Sequence, residues 1–160
     1  MKLEDLRTDN FVLRPLKNSD KEDLLDLLNN PSIEKYIPGL AFHNLEEVTH
    51  LFIVSQLHNS ILLVLEEIAS KKIIGIIFAY IDPSFLGSIS YVMHKDYRGR
   101  GIMPEALKLF IRYLYENKLA RCITFCINIS NKSSIRVMQK LNIPFCYSYF
   151  HLSLTQELPF

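Results

Sequence analysis

The chain has 160 residues, of which 49% are hydrophobic and 22% charged, a composition typical of one globular domain over residues 1–160. Its net charge of +1 argues against nucleic acid or a membrane surface as a partner, so any anion site has to be local. A charged start and the lack of an apolar run of about 20 residues predict a cytoplasmic protein with no cleavable signal and no membrane span.

The beginning of the chain predicts a strand followed by a helix. Residues 8–16 alternate apolar and polar side chains, which indicates a strand near a sheet edge. Ser19 and Glu22 have the spacing of a capping box, and leucines follow at helical spacing. We therefore predict a helix over residues 20–29 that Pro31 ends.

The next part of the chain predicts an irregular segment, a second helix and two central strands of the sheet. Residues 30–43 are rich in proline and are predicted to be irregular, with at most a helical turn, before Asn44 caps a second helix. Residues 61–65 and 73–81 are then apolar on both faces and are joined by a polar turn at residues 70–72. Such runs indicate central strands covered by helices on both sides of the sheet.

The second half of the chain predicts two strand–helix pairs and a hairpin. A strand over residues 87–94 leads through a basic loop into a helix, and a strand over residues 121–129 leads into a helix over residues 132–141. Asn142 suits the left-handed position that ends this helix, and residues 144–154 predict an aromatic hairpin. The order β-α-α-β-β-β-α-β-α-β indicates an α/β fold with a mixed sheet flanked by helices. The first of these two helices should bury Leu107, Phe110, Ile111 and Leu114.

The most informative stretch covers residues 91–106, where the strand, a loop with two glycines and a helix follow one another. Such a loop can direct several backbone N–H groups at one point beside the positive end of the helix dipole, which favours a phosphate or pyrophosphate. Gly99 and Gly101 allow the backbone to approach a ligand closely, and Arg98 and Arg100 add cationic donors. The glycine spacing fits neither a P-loop nor a dinucleotide-binding fingerprint.

The spacing of Arg98, Gly101 and Met103 resembles the Arg/Gln-x-x-Gly-x-Gly/Ala acetyl-CoA loop of the GNAT acetyltransferase superfamily, with methionine where a small residue is usual. Other segments are similar to the branch that includes the ribosomal-protein N-terminal acetyltransferases. These segments are residues 11–16, 30–37, 73–75 and 131–141. The resemblance covers roughly residues 8–145 and implies a GNAT-type sheet that is mostly antiparallel.

The resemblance implies transfer of an acetyl group from acetyl-CoA to a primary amine in a ternary complex. The cofactor's pantetheine arm would pair with backbone groups of Val92 and His94, where two strands separate, and its pyrophosphate would bind the amides of residues 98–103. The cofactor-binding residues that the resemblance implies are Val92, Met93, His94, Arg98, Gly99, Arg100, Gly101, Ile102, Met103, Asn131 and Ser134. No metal is implied.

The resemblance also implies a donor to the departing thiolate. Many relatives use a tyrosine where this chain has Met138, so Ser134 is the expected catalytic residue, as a hydrogen-bond donor to sulfur. Ser134 and Asn131 can equally cap their helix, and Asn131 would otherwise bind the pantetheine arm. A backbone N–H near Val92 would donate to the acetyl carbonyl oxygen.

The general base is unassigned at this stage. Relatives often carry an acidic residue where this chain has Ser88, which cannot serve. The remaining candidates are His94, Glu105, Tyr91 and Asp82, with a water chain to solvent as an alternative that needs no base. The acceptor amine is open between a protein N-terminus, a polyamine, an aminoglycoside and a small metabolite. The acidic side chains that could attract it, or simply face solvent, are Glu34, Glu46 and Glu47.

A second hypothesis is a non-catalytic acyl-CoA-binding or interaction module, because Ser88 and Met138 lack the expected chemistry and Met103 could crowd the loop. A nucleic-acid binder that uses the loop arginines lacks a supporting basic and aromatic surface. The protein could be a monomer or a homodimer.

The three cysteines fit neither a disulfide framework nor a metal site and are predicted to be reduced packing residues, namely Cys122, Cys126 and Cys146.

Overall fold

The computed structural model describes residues 5–146, 149–154 and 158–160. Its helices are α1 (Lys21–Leu28), α2 (Pro31–Tyr36), α3 (Leu45–Ser55), α4 (Ile102–Glu116) and α5 (Lys132–Lys140). Its strands are β1 (Leu6–Arg7), β2 (Phe11–Pro15), β3 (Ser60–Glu67), β4 (Ile73–Ile81), β5 (Leu86–Met93), β6 (Cys122–Phe125), β7 (Phe145–Cys146) and β8 (Tyr149–Ser153). Short 3₁₀ turns occur at Asn18–Asp20, Pro38–Leu40 and Lys95–Tyr97.

The strands of the described residues form one sheet in the order β1-β2-β3-β4-β5-β6-β8-β7. Neighbouring strands are antiparallel except β5 and β6, which are parallel because α4 connects them. The predicted mixed α/β fold is therefore confirmed. The first predicted strand, β2, is one position in from the edge, since two residues of β1 pair with it.

Two hydrophobic clusters cover the sheet, one on each face. Leu63 and Leu65 of β3 face the cluster that contains α4 and α5, whereas Leu62 and Val64 face the cluster that contains α1 and α3. This alternation follows from the period of two along a strand. It confirms that β3, like its neighbour β4, is covered on both sides. The four predicted apolar residues of α4 are fully buried.

The strands β5 and β6 separate, and this separation opens a cleft beside β5. They pair only from Leu86 to Ser88 of β5 with Cys122 to Thr124 of β6, although β5 continues to Met93. The β6 strand ends at Phe125, so it is shorter than the predicted range of residues 121–129. Beyond Ser88 the sheet no longer supplies β5 with a partner on this side.

Helix ends show which capping predictions were correct. Asn44 caps α3 by accepting a hydrogen bond from the Glu47 N–H at 2.9 Å, and Asn142 adopts a left-handed φ of 53°, both as predicted. The predicted capping box at Ser19 is wrong, because the carboxylate of Asp20 accepts from the Lys17 N–H at 2.8 Å instead.

The helix α2 was not predicted. Pro31 stands at its first turn, where its missing N–H costs nothing, and Asn30 caps it by accepting from the Ser32 N–H at 2.9 Å. Pro31 therefore begins α2 as well as ending α1. The sequence signal for α2 is the Asn-Pro-Ser string, in which asparagine can cap a helix and proline can begin it.

Of the three predicted packing cysteines, Cys146 has its side chain outside the described part of the structure, and the other two are not fully buried. Both described thiols are free, but Cys126 is exposed and Cys122 is half-buried, with its Sγ 3.3 Å from Nδ1 of His151. Burial raises the pKa of the Cys122 thiol.

The predicted hairpin exists as β7 and β8, which pair Phe145 with Phe150, although its turn lies outside the described residues. No helix of the described residues is long and apolar enough to cross a membrane.

Candidate functional site

A cleft of about 400 Å³ lies where β5 separates from β6. Its walls come from α2, the end of β5, the glycine loop with the start of α4, and one face of α5. The hydroxyl of Tyr36 on α2 reaches across to donate to the Ser130 carbonyl at 3.4 Å. The predicted cofactor residues that line it are Val92, Met93, Arg98, Gly99, Gly101, Ile102, Met103, Asn131 and Ser134.

The glycine loop is open and has unused donors. Gly99 and Gly101 adopt left-handed φ angles of 80° and 82°, and a Cβ added at either position would have no neighbour within 4 Å. Gly101 precedes α4, and no side chain caps this helix. None of the N–H groups of residues 99–103 donates a hydrogen bond to the part of the chain that the structure describes. The free space and the N–H groups therefore suit an anion such as a pyrophosphate.

Met103 does not obstruct this loop. Its side chain is 4% exposed and belongs to the cluster below α4 and α5, with its Cε 3.6 Å from the position of a Cβ added at Gly75. The methionine therefore points toward the sheet, beside Leu107, one turn further along α4. The concern that it crowds the pyrophosphate position does not apply.

The two loop arginines have different environments. Arg98 spans the cleft entrance, because its Nε donates to the Met93 carbonyl at 3.0 Å and its guanidinium donates to Oγ of Ser32 on α2 at 3.1 Å. Arg100 instead donates to the Asp96 carbonyl at 2.7 Å and lies over the ring of Tyr97. Arg100 does not line the cleft, so the structure does not bring it together with the other predicted cofactor residues.

His94 requires a correction, because it makes no part of the cleft wall. Its N–H donates to the Ile74 carbonyl at 2.8 Å, and its carbonyl accepts from the Tyr97 N–H at 3.0 Å. Its buried imidazole accepts from the Asp96 N–H at 3.3 Å, while Nε2 lies 3.1 Å from the Asp26 carboxylate. Neither its backbone nor its side chain is available for the predicted role in cofactor binding or as a base.

The alternation of β5 shows which backbone groups face the cleft. A Cβ added at Gly75 would lie 2.8 Å from the Val92 carbonyl oxygen, so this oxygen points toward β4. The Met93 carbonyl points the opposite way, toward Arg98. Because backbone groups alternate between the two sides of a strand, Tyr91 and Met93 present theirs to the cleft. The Val92 carbonyl and the His94 N–H of the predicted pair point toward β4 instead.

The start of α5 brings polar groups to the same cleft. Asn131 caps α5, since its Oδ1 accepts from the Ser134 N–H at 3.2 Å and from the Ser133 hydroxyl at 2.8 Å. The side-chain NH2 group of Asn131 and the hydroxyl of Ser134 make no hydrogen bond within the described residues, and both residues line the cleft. Met138 is fully buried, so it contributes no donor.

Tyr91 lies next to Ser134, and sequence reasoning had considered it only as a base. Its hydroxyl donates to the Ser134 carbonyl at 3.2 Å, and its ring packs edge-on against Phe125. Burial raises the pKa of Tyr91 to about 12, so the phenol stays protonated at neutral pH. A tyrosine of β5 therefore reaches the start of α5.

No aspartate, glutamate or histidine is among the described residues that line the cleft. Glu105 is exposed, and Asp82 accepts from the N–H groups of Ser84 and Leu86 in the turn before β5. Glu47 is occupied in capping α3, with His43 and Asn44 as its partners. Of the four base candidates, Tyr91 lines the cleft with a phenol that stays protonated, and the other three are not among the described residues that line it.

The fold and the cleft define the class of protein. A mostly antiparallel sheet that opens beside a glycine loop and an uncapped helix is the arrangement implied for GNAT acetyltransferases. The family model described as "Acetyltransferase (GNAT) domain" matches residues 10–143, and the chain belongs to this family. No curated protein shows a significant sequence match to the chain.

Solved structures share the fold at low sequence identity. A GNAT-family acetyltransferase from Bacillus anthracis is 16% identical, with a TM-score of 0.83 over 96% of this chain and 100% of its own. The ribosomal-protein-S5-alanine acetyltransferase from Vibrio fischeri is 17% identical, with a TM-score of 0.77 over 94% and 96%. RimL, a ribosomal L7/L12 alpha-N-protein acetyltransferase solved with coenzyme A, is 15% identical, with a TM-score of 0.78 over 94% and 98%.

Proposed function

We propose that the protein is an N-acetyltransferase that moves an acetyl group directly from acetyl-CoA to a primary amine. The observation that carries this proposal is the cleft itself, which joins unpaired β5 backbone to the open glycine loop and the uncapped start of α4. The solved relatives that contain coenzyme A support the choice of cofactor. Acetyl-CoA, when bound, supplies the activated acetyl thioester.

Each part of the cleft has a role in this proposal. The amides of residues 99–103 would hold the pyrophosphate, and the backbone of Tyr91 and Met93 with the side-chain amide of Asn131 would hold the pantetheine arm. A β5 N–H facing the cleft would donate to the acetyl carbonyl oxygen. The Ser134 hydroxyl would donate to the sulfur, while Tyr91 holds the Ser134 carbonyl.

The absence of a carboxylate or imidazole from the described cleft wall has a consequence for the acceptor. Without a base, the amine has to lose its proton to water before it reacts. An α-amino group has a pKa of ~7.8 and a lysine side chain ~10.4, so the neutral form of the α-amine is several hundred-fold more abundant near pH 7. We therefore propose a protein or peptide N-terminus as the acceptor, as the names of the ribosomal-protein acetyltransferases also suggest.

The test compares two peptides of the same sequence with one internal lysine, one with a free N-terminus and one with an acetylated N-terminus. We expect the free N-terminus to give at least ~10-fold higher kcat/KM at pH 7, measured as thiol release and located by mass spectrometry. The rate should rise tenfold per pH unit and level off near the pKa of the amine. The same apparent pKa for two acceptors of different amine pKa would show a base on the enzyme instead.

A non-catalytic acyl-CoA-binding module is the second candidate, and the lack of an acidic group in the described cleft wall favours it. Calorimetry with acetyl-CoA and the thiol-release assay separate the two. Binding with release of thiol in the presence of a peptide amine supports the enzyme. Binding without release for any amine of a panel of peptides, polyamines and aminoglycosides supports the module.

Ser134→Ala should lower kcat by roughly 10-fold and leave KM for acetyl-CoA nearly unchanged, because a hydrogen bond to a charged group is worth about 1.5–3 kcal/mol and sulfur gains charge as it departs. Ser133→Ala is the matched control, since its hydroxyl is occupied by Asn131 at 2.8 Å. Steady-state kinetics of both variants measure the difference. Equal losses in the two variants would mean that these serines only support the start of α5.

A further inference from the structure

The helix α5 carries a row of three cations. Lys132, Arg136 and Lys140 are four residues apart, all three are exposed, and α5 has no acidic residue. None of the three forms an ion pair with another residue that the structure describes. Like charges one helical turn apart repel each other, so this row costs stability unless it has a partner.

Only part of this row faces the cleft. Arg136 and Lys140 line it together with the glycine loop, whereas Lys132 does not. The opposite side of α5 is buried, with Met138 and the following Leu141 fully covered. The two cations therefore add positive charge to the wall in which we found no described carboxylate.

Neither the net charge of the chain nor the stability of α5 explains why both Arg136 and Lys140 stand in the cleft wall. The net charge of the chain is only +1, so a local excess of positive charge is not a general property of this surface. Lys140 lies in the last turn of α5, where a cation interacts favourably with the helix dipole. Arg136 lies in the middle of the helix, where the dipole gives it no such benefit.

We propose that Arg136 and Lys140 form a subsite for the 3′-phosphate on the adenosine of coenzyme A, an inference that rests on the proposed function. Coenzyme A carries a diphosphate and a separate phosphate monoester on its ribose. The amides of residues 99–103 suit the diphosphate, and the monoester needs a second group of cationic donors in the same cleft. A guanidinium and an ammonium are the side chains that bind phosphate best.

The position along α5 agrees with this assignment. Ser134 marks the end of the cleft where the thioester would react, and Lys140 lies six residues further, about 9 Å along the helix axis. The adenosine and the thioester are opposite ends of the cofactor. A cation site at the far end of α5 therefore matches the end that bears the 3′-phosphate.

The experiment measures binding of coenzyme A and of dephospho-coenzyme A, which lacks only the 3′-phosphate, to the full chain by calorimetry. We expect the wild type to bind coenzyme A ~10-fold more tightly. Arg136→Gln with Lys140→Gln should reduce this preference to about twofold or less, with affinity for dephospho-coenzyme A unchanged. Lys132→Gln is the matched control and should keep the wild-type preference, because its side chain lies outside the cleft.

Three results would overturn this assignment while leaving the proposed function intact. They are equal affinity of the wild type for the two ligands, an unchanged preference in the double variant, and equal weakening of both ligands by the two substitutions. Binding of neither ligand by folded wild type would overturn the proposed function, and this subsite with it. Thermal unfolding of each variant shows that the protein measured is folded.

Discussion

Gly101→Asp should reduce affinity for coenzyme A by roughly 100-fold while the protein remains folded. The substitution places a carboxylate beside the free N–H groups of residues 99–103, where the proposed function puts a pyrophosphate. A carboxylate about 5 Å from a phosphate costs about 3 kcal/mol at the dielectric typical of protein surfaces. Space is available, since a Cβ at Gly101 would have no neighbour within 4 Å.

The same carboxylate should not unfold the protein. Residue 101 is the N-cap of α4, and aspartate at a helix start is favoured by the dipole and by the free N–H groups. Its left-handed φ of 82° is a conformation that aspartate and asparagine tolerate better than other side chains. A side chain at this φ is still strained, so loss of binding with a modest fall in Tm that Gly101→Asn shares is the expected combination.

Gly101→Asn is the matched control, because it has the same shape and backbone preference without the charge. We expect it to bind coenzyme A within ~5-fold of the wild type, as measured by calorimetry. If the two variants lost affinity equally, backbone strain and not charge would be the cause. Wild-type affinity in Gly101→Asp would remove the pyrophosphate from this loop.

Asp20→Ala should lower the free energy of unfolding by about 3 kcal/mol, the lower end of the range for breaking a buried ion pair. Arg14 is 5% exposed, and its guanidinium donates to both oxygens of Asp20 at 2.8 Å. These hydrogen bonds raise the pKa of Arg14. A guanidinium stays protonated at ordinary pH even without such a partner, so Arg14 remains charged when Asp20 is lost. Glu66, 2.6 Å from Nε of Arg14, keeps part of the charge compensated.

Urea unfolding of Asp20→Ala measures this effect, and Lys72→Ala is the control from an exposed pair. Lys72 lies 2.8 Å from Asp26, whose side chain is 54% exposed, so its loss should cost less than about 1 kcal/mol. Adding Arg14→Met to Asp20→Ala should recover part of the stability, because it removes the unpaired cation. Equal costs for Asp20→Ala and Lys72→Ala would contradict the buried-charge explanation.

Local patterns in the sequence were sufficient for much of the fold. Asn44 and Asn142 adopt their predicted roles because a cap or a left-handed residue depends on a few neighbouring backbone groups. The buried face of α4 follows from helical periodicity, and the glycine loop follows from two residues with left-handed φ. The segment Asn30–Ser32 shows the limit of such patterns, because proline at this place both ends one helix and begins the next.

Which residues face the cleft depends on tertiary contacts more strongly than the order of helices and strands does. His94 stands beside residues of the cleft in sequence, but the alternation of β5 turns its backbone to β4 and its side chain to Asp26. Arg100 follows Arg98 by two residues, yet it packs on Tyr97 outside the cleft. Adjacent positions in a strand or loop point in different directions. For His94 the partners that fix the direction, Asp26 and Ile74, are distant in the sequence.

The sequence by itself determined the family, the order of most elements and the glycine loop, because these depend on residues close together in the chain. Only the tertiary structure decided that Tyr91 reaches the Ser134 carbonyl, 43 residues away, and that Arg136 shares a cleft with Gly101. The physical reason is that β5 and β6 pair for three residues and then separate. That separation depends on strand pairing across the whole sheet, and it brings the glycine loop and the start of α5 to one cleft.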